Sequence, residues 1–435
     1  MLLEFTVKNF RSIKEEQTLS LLASKGIKDS QQNIIEIELP GLKGERYLKG
    51  AGIYGPNASG KTNVLKALGM MKRIVTGYSA RNPAERLPYQ PFALNSTYKN
   101  LPTEFFVSFV HENIRYEYEF HHNAYKVVYE SLSAYPKGAR QNWFTREMKA
   151  LEGRPDREGT TYKASTKFKI SPEVRDMTRS NALLVSVGAF LNNEQLSKVY
   201  EWFESECVIL PMMDPFDNVM NSIDIISHEG SLERNQIMNL LASSDLGILG
   251  AKVDTSGSKP PINIRFSVGN DSEDNLEFRE PEKIPHVDFI HSAEDGSTCL
   301  IQLEEESSGT QALFEISGVL FDVLNNGKTL VIDEIDKSLH PVLSKEILKL
   351  FFSPEVNKKG AQLIFVSHNP LFLSGELLRR DQVWFVEKDV HGASHLYPLV
   401  DFSPRKAESL LSGYLSGRYG ALPVLSDFFG ADRDG

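Results

Sequence analysis

The chain has only two cysteines in 435 residues, Cys207 and Cys299, and no spacing pairs them or builds a metal cluster around them. That excludes a disulfide-stapled secreted scaffold and fits a reducing cytoplasm, with both thiols read as packing residues. Long apolar runs are missing as well. No stretch approaches the ~18 residues needed to span a bilayer, and the opening MLLEFTVKNF reads as a strand, not a cleavable signal. Positive charge is short of negative. The 48 Lys and Arg face 58 Asp and Glu, and the net charge of −10 argues against generic nucleic-acid binding without forbidding a local basic groove. The small basic groups at residues 137–140 and at Arg379 and Arg380 read as solvated faces. There is neither an internal repeat nor a heptad array long enough for a coiled-coil arm.

What is present is an ordinary globular composition, 41% hydrophobic and 24% charged, over a length that allows two or three lobes. Residues 2–10 read as a strand. Residues 47–54 read as another that runs into a Gly-rich loop, and 63–75 as a helix with apolar residues at helical spacing. Alternating aromatic-rich segments between 105 and 144 predict an antiparallel meander. The period turns helical over 172–209 and again over 231–246, and 254–274 is rich in loop formers. From about 287 a second core-like stretch begins. TLVIDE and QLIFVSH read there as strands on either side of a helix starting near Pro341, the βαβ rhythm of a parallel sheet.

Four motifs carry chemistry. Gly55-Pro56-Asn57-Ala58-Ser59-Gly60-Lys61-Thr62 is a complete G-x-x-x-x-G-K-T loop in the strand–loop–helix context that phosphate binding needs. Its glycines let backbone N–H groups approach a polyphosphate, and the helix that follows, opening at Asn63, adds its positive end. Lys61 is suited to the β- and γ-phosphates and Thr62 to Mg²⁺. Asp333-Glu334 ends a buried apolar strand, where ligands bind in parallel sheets. Asp333 is suited to hold Mg²⁺ through a water, and Glu334 to polarise the attacking water. An apolar run before Asp-Glu is common by itself and gains meaning from the first motif. Ser307-Ser308-Gly309-Thr310-Gln311 alone is a helix-capping turn. His368, at the end of FVSH, alone is a polar strand cap.

Taken in order, these motifs resemble the ABC-type ATPases, in particular the SMC-, RecF- and OLD-like branch. Ser308, Gly309 and Gln311 match the Leu-Ser-Gly-Gly-Gln signature, with Ser307 in place of Leu and Thr310 in place of the second Gly. The resemblance implies that this signature meets the γ-phosphate held by a second subunit, and that His368 contacts the γ-phosphate and orients water. FTVKNFRSIKE is similar to the start of the branch, which would bring Asn9 and Arg11 near the nucleotide. A glutamine-bearing loop should touch Mg²⁺, and Gln90 in PYQPF is the candidate. In DEIDKSLHP, His340 stands where transporter-type members carry Asp, so that residue's cross-subunit role is left unassigned here. YLSGRYGALP is similar to stand-alone phage-defence ATPases of the RloA and abortive-infection type.

The expected fold is therefore α/β, a P-loop NTPase with an ABC-type head (a mixed sheet flanked by helices, with an antiparallel β subdomain) and a helical insertion. Residues 1–170 would form the first half of the head, 171–285 the mainly helical insertion, and 286–435 the second half. The expected activity is ATP hydrolysis with Mg²⁺ in a nucleotide-sandwich dimer or higher homo-oligomer. The expected role is that of cytoplasmic sensor or regulator of an anti-phage system controlling a separate effector such as a nuclease, with no membrane partner. The alternative is a RecF-like DNA-binding repair ATPase. A small-molecule kinase leaves Ser308 and His368 unexplained.

Overall fold

The computed structural model describes residues 1–77, 85–151, 154–210, 215–244, 247–254, 285–337, 339–374, 377–404 and 408–423. The chain divides into two compact units. The first comprises Met1–Met212, Val323–Lys337 and Ser344–Gly435, and the second Met213–Asp322 and Ser338–Leu343.

The first unit holds two large sheets. One is antiparallel and contains β1 (Leu2–Lys8), β2 (Gln17–Ser20), β6 (Thr103–His111), β7 (Ile114–His122), β8 (Val127–Ala134), β9 (Gln141–Leu151) and β10 (Arg154–Ala164). Its order is β10-β9-β8-β7-β6-β1-β2. β7 shows why it forms. In IRYEYEFHH every second residue is buried (Tyr116, Tyr118, Phe120, His122), the period of a strand with one covered face. A short hairpin, β3 (Ile34–Glu36) and β4 (Arg46–Leu48), stands apart.

The other sheet comprises β5 (Gly50–Tyr54), β11 (Cys207–Ile209), β15 (Thr329–Ile332), β16 (Gln362–Val366), β17 (Val383–Lys388) and β18 (Ser394–Pro398), in the order β11-β15-β16-β5-β17-β18. All neighbours are parallel except β17 and β18. β5, β15 and β16 are buried along their whole length, as parallel strands covered on both faces must be. Helix α1 (Lys61–Gly77) buries Val64, Leu65, Leu68, Met71, Ile74 and Val75 in one core shared with both sheets. Helices α2 (Pro172–Met177), α3 (Leu184–Phe190) and α4 (Glu194–Glu201) feed the same core, where Trp202 stacks on Phe109 with ring centroids 4.1 Å apart.

Two buried polar devices hold this unit together. The Gln362 side chain joins the sheets: its Oε1 accepts from Leu2 N at 2.7 Å, and its Nε2 donates to the carbonyls of Leu2 and Leu48 at 3.0 Å each. Glu130 and Arg146, facing across β8 and β9, form a buried ion pair of 3.1 Å. Glu130 also accepts from Tyr118 Oη and from the N–H groups of Leu184 and Val185, while Arg146 donates to the carbonyls of Ala182 and Arg179.

The second unit contains α5 (Pro215–Ser227), α6 (Leu232–Ser243) and a three-stranded antiparallel sheet of β12 (Ile248–Asp254), β13 (His286–Ser292) and β14 (Thr298–Gln302). It also holds the opening turns of α7 (Ser308–Asn326). Ser222 on α5 locks onto α7, donating to Phe314 O at 2.8 Å and accepting from Gly318 N at 3.0 Å. Helices α8 (Pro341–Phe352) and α9 (Leu410–Leu415) complete the elements used here. No helix among the described residues is long and apolar enough to cross a membrane.

The meander, the P-loop helix, both core strands and the helix at Pro341 stand where the sequence puts them. Of the strand read at 47–54 only Gly50–Tyr54 carries the P-loop, Tyr47 and Leu48 belonging to β4 in another sheet. Four local expectations change. Residues 207–209 are not helical. The chain leaves α4 through a π turn and becomes the edge strand β11, because pairing with β15 satisfies its backbone in a way one more half-turn could not. Residues 286–302 do not enter the core sheet; they form the separate sheet with β12. Cys299 is exposed on β14 and is not a packing residue, whereas Cys207 is buried, which pushes its thiol up to about 11. Arg379 and Arg380 are not a solvated face. Arg379 is 1% exposed and pairs with Asp381, and Arg380 pairs with Asp29; residues 137–140 do lie largely at the surface. The loop read at 254–274 lies, apart from Asp254, outside the described residues.

Candidate active site

The parallel sheet places three motifs along one edge. β5 ends in the Gly55–Thr62 loop, β15 ends in Asp333-Glu334, and β16, hydrogen-bonded between them, ends just before Ser367-His368. One cleft of ≈ 520 Å³ is lined by Asn57, Ala58, Ser59, Gly60, Lys61, Thr62 and Asn63 together with Glu334, His368 and Lys388. Every one of these residues belongs to the first unit.

The loop turns on two glycines. Gly60 has φ +108°, and a Cβ there would stand 2.2 Å from Ser394 Oγ, so only glycine fits both the backbone and the space. Gly55 is equally constrained, with Val386 O 2.2 Å from where its Cβ would lie. Ala58 is left-handed as well, at φ 61°. Lys61, 4% exposed, folds back to donate to the carbonyls of Gly55 and Pro56 at 2.8 Å each. Burial draws its ammonium below the ordinary lysine range, against the attraction of Asp333, Glu334 and Asp336. The opening N–H groups of α1 form the positive end of the helix, with Asn63 N held by Gly60 O at 2.9 Å. A buried cation, a helix N-terminus and a glycine-shaped bend together make a cradle for a polyphosphate.

Thr62 Oγ1 donates to Asp333 Oδ1 at 3.2 Å. Burial raises the Asp333 carboxyl above its usual range, the Thr62 hydrogen bond opposes this, and the neighbouring Glu334 charge adds to it. A hydroxyl and a carboxylate side by side are hard oxygen donors of the kind Mg²⁺ takes, with its remaining ligands from phosphate and water. Among the described residues no three His, Cys, Asp or Glu side chains are grouped to hold a metal. The donor set thus fits a metal that arrives with a nucleotide.

Glu334 sits at φ 53°, a left-handed conformation costing roughly 1–3 kcal/mol for such a residue. The turn is held by Ile335 N donating to Val366 O at 3.2 Å and Lys337 N to Glu334 O at 2.8 Å. Glu334 lines the cleft together with exposed His368, and its Oε2 lies 3.9 Å from Lys337 Nζ.

The remaining sequence candidates are placed differently. Asn9 is buried, with Nδ2 donating to the carbonyls of Tyr98, Leu101 and Pro102 and Oδ1 accepting from Phe92 N, so it clamps the 92–102 segment. Arg11 and Gln90 bond each other twice, Arg11 N to Gln90 O at 2.7 Å and Arg11 Nε to Gln90 Oε1 at 2.6 Å, and neither lines the cleft. Ser307 caps α7 by accepting from Thr310 N at 3.1 Å, leaving Ser308 and Gly309 in its first turn. Gln311 Nε2 donates back to the carbonyls of Glu304 and Glu306. His340 is exposed in the turn before α8.

Sequence reasoning missed Ser12, Ser394 and Lys388. Ser394 Oγ donates to Ser59 O at 2.6 Å and meets Ser12 Oγ at 2.7 Å; Ser12 Oγ accepts in turn from Asn63 Nδ2 at 2.7 Å. This chain ties the loop to β18 and to the turn after β1. The only signal was that Ser12 follows the Asn-Phe-Arg segment. Ser394→Ala is expected to weaken nucleotide binding about 2- to 10-fold, the worth of one or two hydrogen bonds, in a fluorescent-nucleotide titration.

The family described as "AAA domain, putative AbiEii toxin, Type IV TA system" matches residues 51–374, about three quarters of the chain. No curated protein sequence matches. Among solved structures, the chain is similar to an SMC head bound to the C-terminal winged-helix domain of ScpA, with 12% identity, TM-score 0.40, and 91% of this chain and 96% of that one covered. It is also similar to the recombination mediator protein RecF of the RecFOR pathway, with 12% identity, TM-score 0.33, and 91% and 98% covered. The match spans the P-loop, the Asp333-Glu334 strand end and His368, and the chain belongs to this AAA-domain, AbiEii-type family.

Proposed function

We propose that the chain binds and hydrolyses ATP with Mg²⁺, and that a second copy completes its site. The observation that carries this reading is the Thr62–Asp333 contact of 3.2 Å in the cleft that Lys61, Glu334 and His368 also line. Thr62 and Asp333 would hold Mg²⁺, which would supply positive charge against the phosphates. Around it Lys61 binds the terminal phosphates, Glu334 accepts a proton from the attacking water, and His368 orients that water. The cleft's lining residues all come from the first unit, whereas Ser308 and Gly309 belong to the second and are half-buried or exposed at the start of α7. With Gln311 they supply the signature to the site of another copy. The ATP-driven closing and opening of such a dimer is a two-state switch. The likeness of the tail to abortive-infection ATPases favours a place in phage defence, as the regulator of a separately encoded effector, although the family's own description names a putative toxin of a type IV toxin–antitoxin system.

The test is ATP hydrolysis against protein concentration. Specific activity should rise with concentration in the wild type and be nearly lost in Lys61→Ala and in Ser308→Arg. Mixing those two variants should restore activity by rebuilding one composite site. An unchanged rate in Ser308→Arg, or no rescue on mixing, would return the chain to a self-contained P-loop enzyme.

A further inference from the structure

The segment that leads into α7 is fastened to the three-stranded sheet by a side-chain pair. His291, near the end of β13, places Nε2 2.6 Å from Glu306 Oε1, and the two side chains are 14% and 9% exposed. Glu306 stands two residues before Ser308, with its own carbonyl accepting from Gln311 Nε2 at 2.9 Å. Ser307, between them, caps the helix. Around this fastening the first residues of the signature face solvent: Ser307 and Ser308 are exposed, whereas Thr310 is 1% exposed and anchors the turn from below. A short hydrogen bond to a mostly buried carboxylate fixes a loop far more firmly than a surface contact, since water cannot replace either group without an opening of the structure. β13 is itself held on both sides, by β12 at Ile248 and by β14 at Cys299.

We infer that His291 is a positioning residue: through Glu306 it sets the height and direction of Ser308 and Gly309, and so how well one chain's signature serves the nucleotide held by another. This rests on the two-copy reading above. The carboxylate of Glu306 can only accept, so Nε2 of His291 carries the proton in this bond and a side chain that donates from the same place can replace it. His291→Gln keeps a donor, and His291→Ala does not.

The mixing experiment isolates this role, because the restored site uses the signature of the Lys61→Ala chain and the P-loop of the Ser308→Arg chain. His291→Ala placed in the Lys61→Ala chain is expected to lower the rescued rate about tenfold, the worth of one charged hydrogen bond. The same change in the Ser308→Arg chain, whose signature is already blocked, serves as the matched control for folding and should cost less than twofold. His291→Gln in the Lys61→Ala chain should recover most of the loss. Equal losses from both placements would overturn the inference and mark His291 as a folding residue only, and full rescue with His291→Ala in the Lys61→Ala chain would overturn it as well. Absence of rescue in the parent mixture would instead overturn the two-copy reading, so the two failures are distinct.

Discussion

Glu334→Gln is expected to reduce ATP turnover by about 10²- to 10⁴-fold, the range for removing a general base, while nucleotide affinity changes little. Gln keeps the size and the hydrogen-bonding shape of the side chain but cannot take a proton. The backbone that aims it, at φ 53°, is set by the hydrogen bonds of Ile335 N and Lys337 N and not by the carboxylate, so the turn should survive the change. Lys61 and the Thr62–Asp333 pair are untouched, which leaves the phosphate cradle intact. A single-turnover measurement with radiolabelled ATP separates the two effects. Bound ATP that persists without release of phosphate is the expected result, and such a variant should also accumulate the ATP-bound dimer by light scattering. Loss of binding in step with loss of turnover would move Glu334 from the chemistry to the architecture of the cleft.

The second large effect is on stability. Arg146→Met should cost about 3–5 kcal/mol, the usual penalty for stripping one partner from a buried ion pair. The reason is geometric. Glu130 would keep its bonds to Tyr118 and to the N–H groups of Leu184 and Val185 but lose the cation paired with it, the carbonyl of Ala182 would lose its side-chain donor, and that of Arg179 would keep only Ala182 N. The double variant Glu130→Leu with Arg146→Met removes charge and counter-charge together and should cost less than the sum of the two single changes, which a double-mutant cycle in urea would read directly. A single-variant loss under about 1 kcal/mol, the scale of an exposed pair, would show that the strand pair opens to water.

The site was legible where its chemistry is local. A G-x-x-x-x-G-K-T run encodes its own bend, and an apolar strand ending in Asp-Glu encodes its own edge, so most residues of the cleft, Lys388 apart, could be named before their neighbours were known. His368 was legible only through the order of the motifs and the resemblance they carry, since a histidine at the end of a buried strand is by itself a polar cap. Ser12 and Ser394 were not, because two serines 382 positions apart acquire meaning only when β18 folds against the loop. Asn9 was singled out for the nucleotide but serves as a clamp; nothing in Asn-Phe-Arg distinguishes an amide that reaches for a ligand from one that gathers three carbonyls. In the fold, strong periodicity carried the meander and α1. A three-residue edge strand such as β11 has too few positions to show any period, and its existence depends on the exposed flank of β15. Arg379 looked solvated because its partners, Asp381 and the carbonyls of Ile27 and Asp29, become its surroundings only in the folded chain.

The strand order of the parallel sheet also has a consequence for synthesis. β5, which carries the phosphate loop, is flanked by β16 and β17, and its first paired residue, Gly50, waits for Leu363. At about 5–20 residues per second, a ribosome needs roughly 15–60 s after making β5 to deliver its first neighbour. For that interval a wholly apolar strand has no sheet to join. The antiparallel meander, whose hairpins close within a few residues, can form meanwhile and offer its greasy face as a shelter. Ribosome-bound chains arrested before residue 360 should therefore depend on a chaperone and retain no ATP, and those released after β17 should retain it.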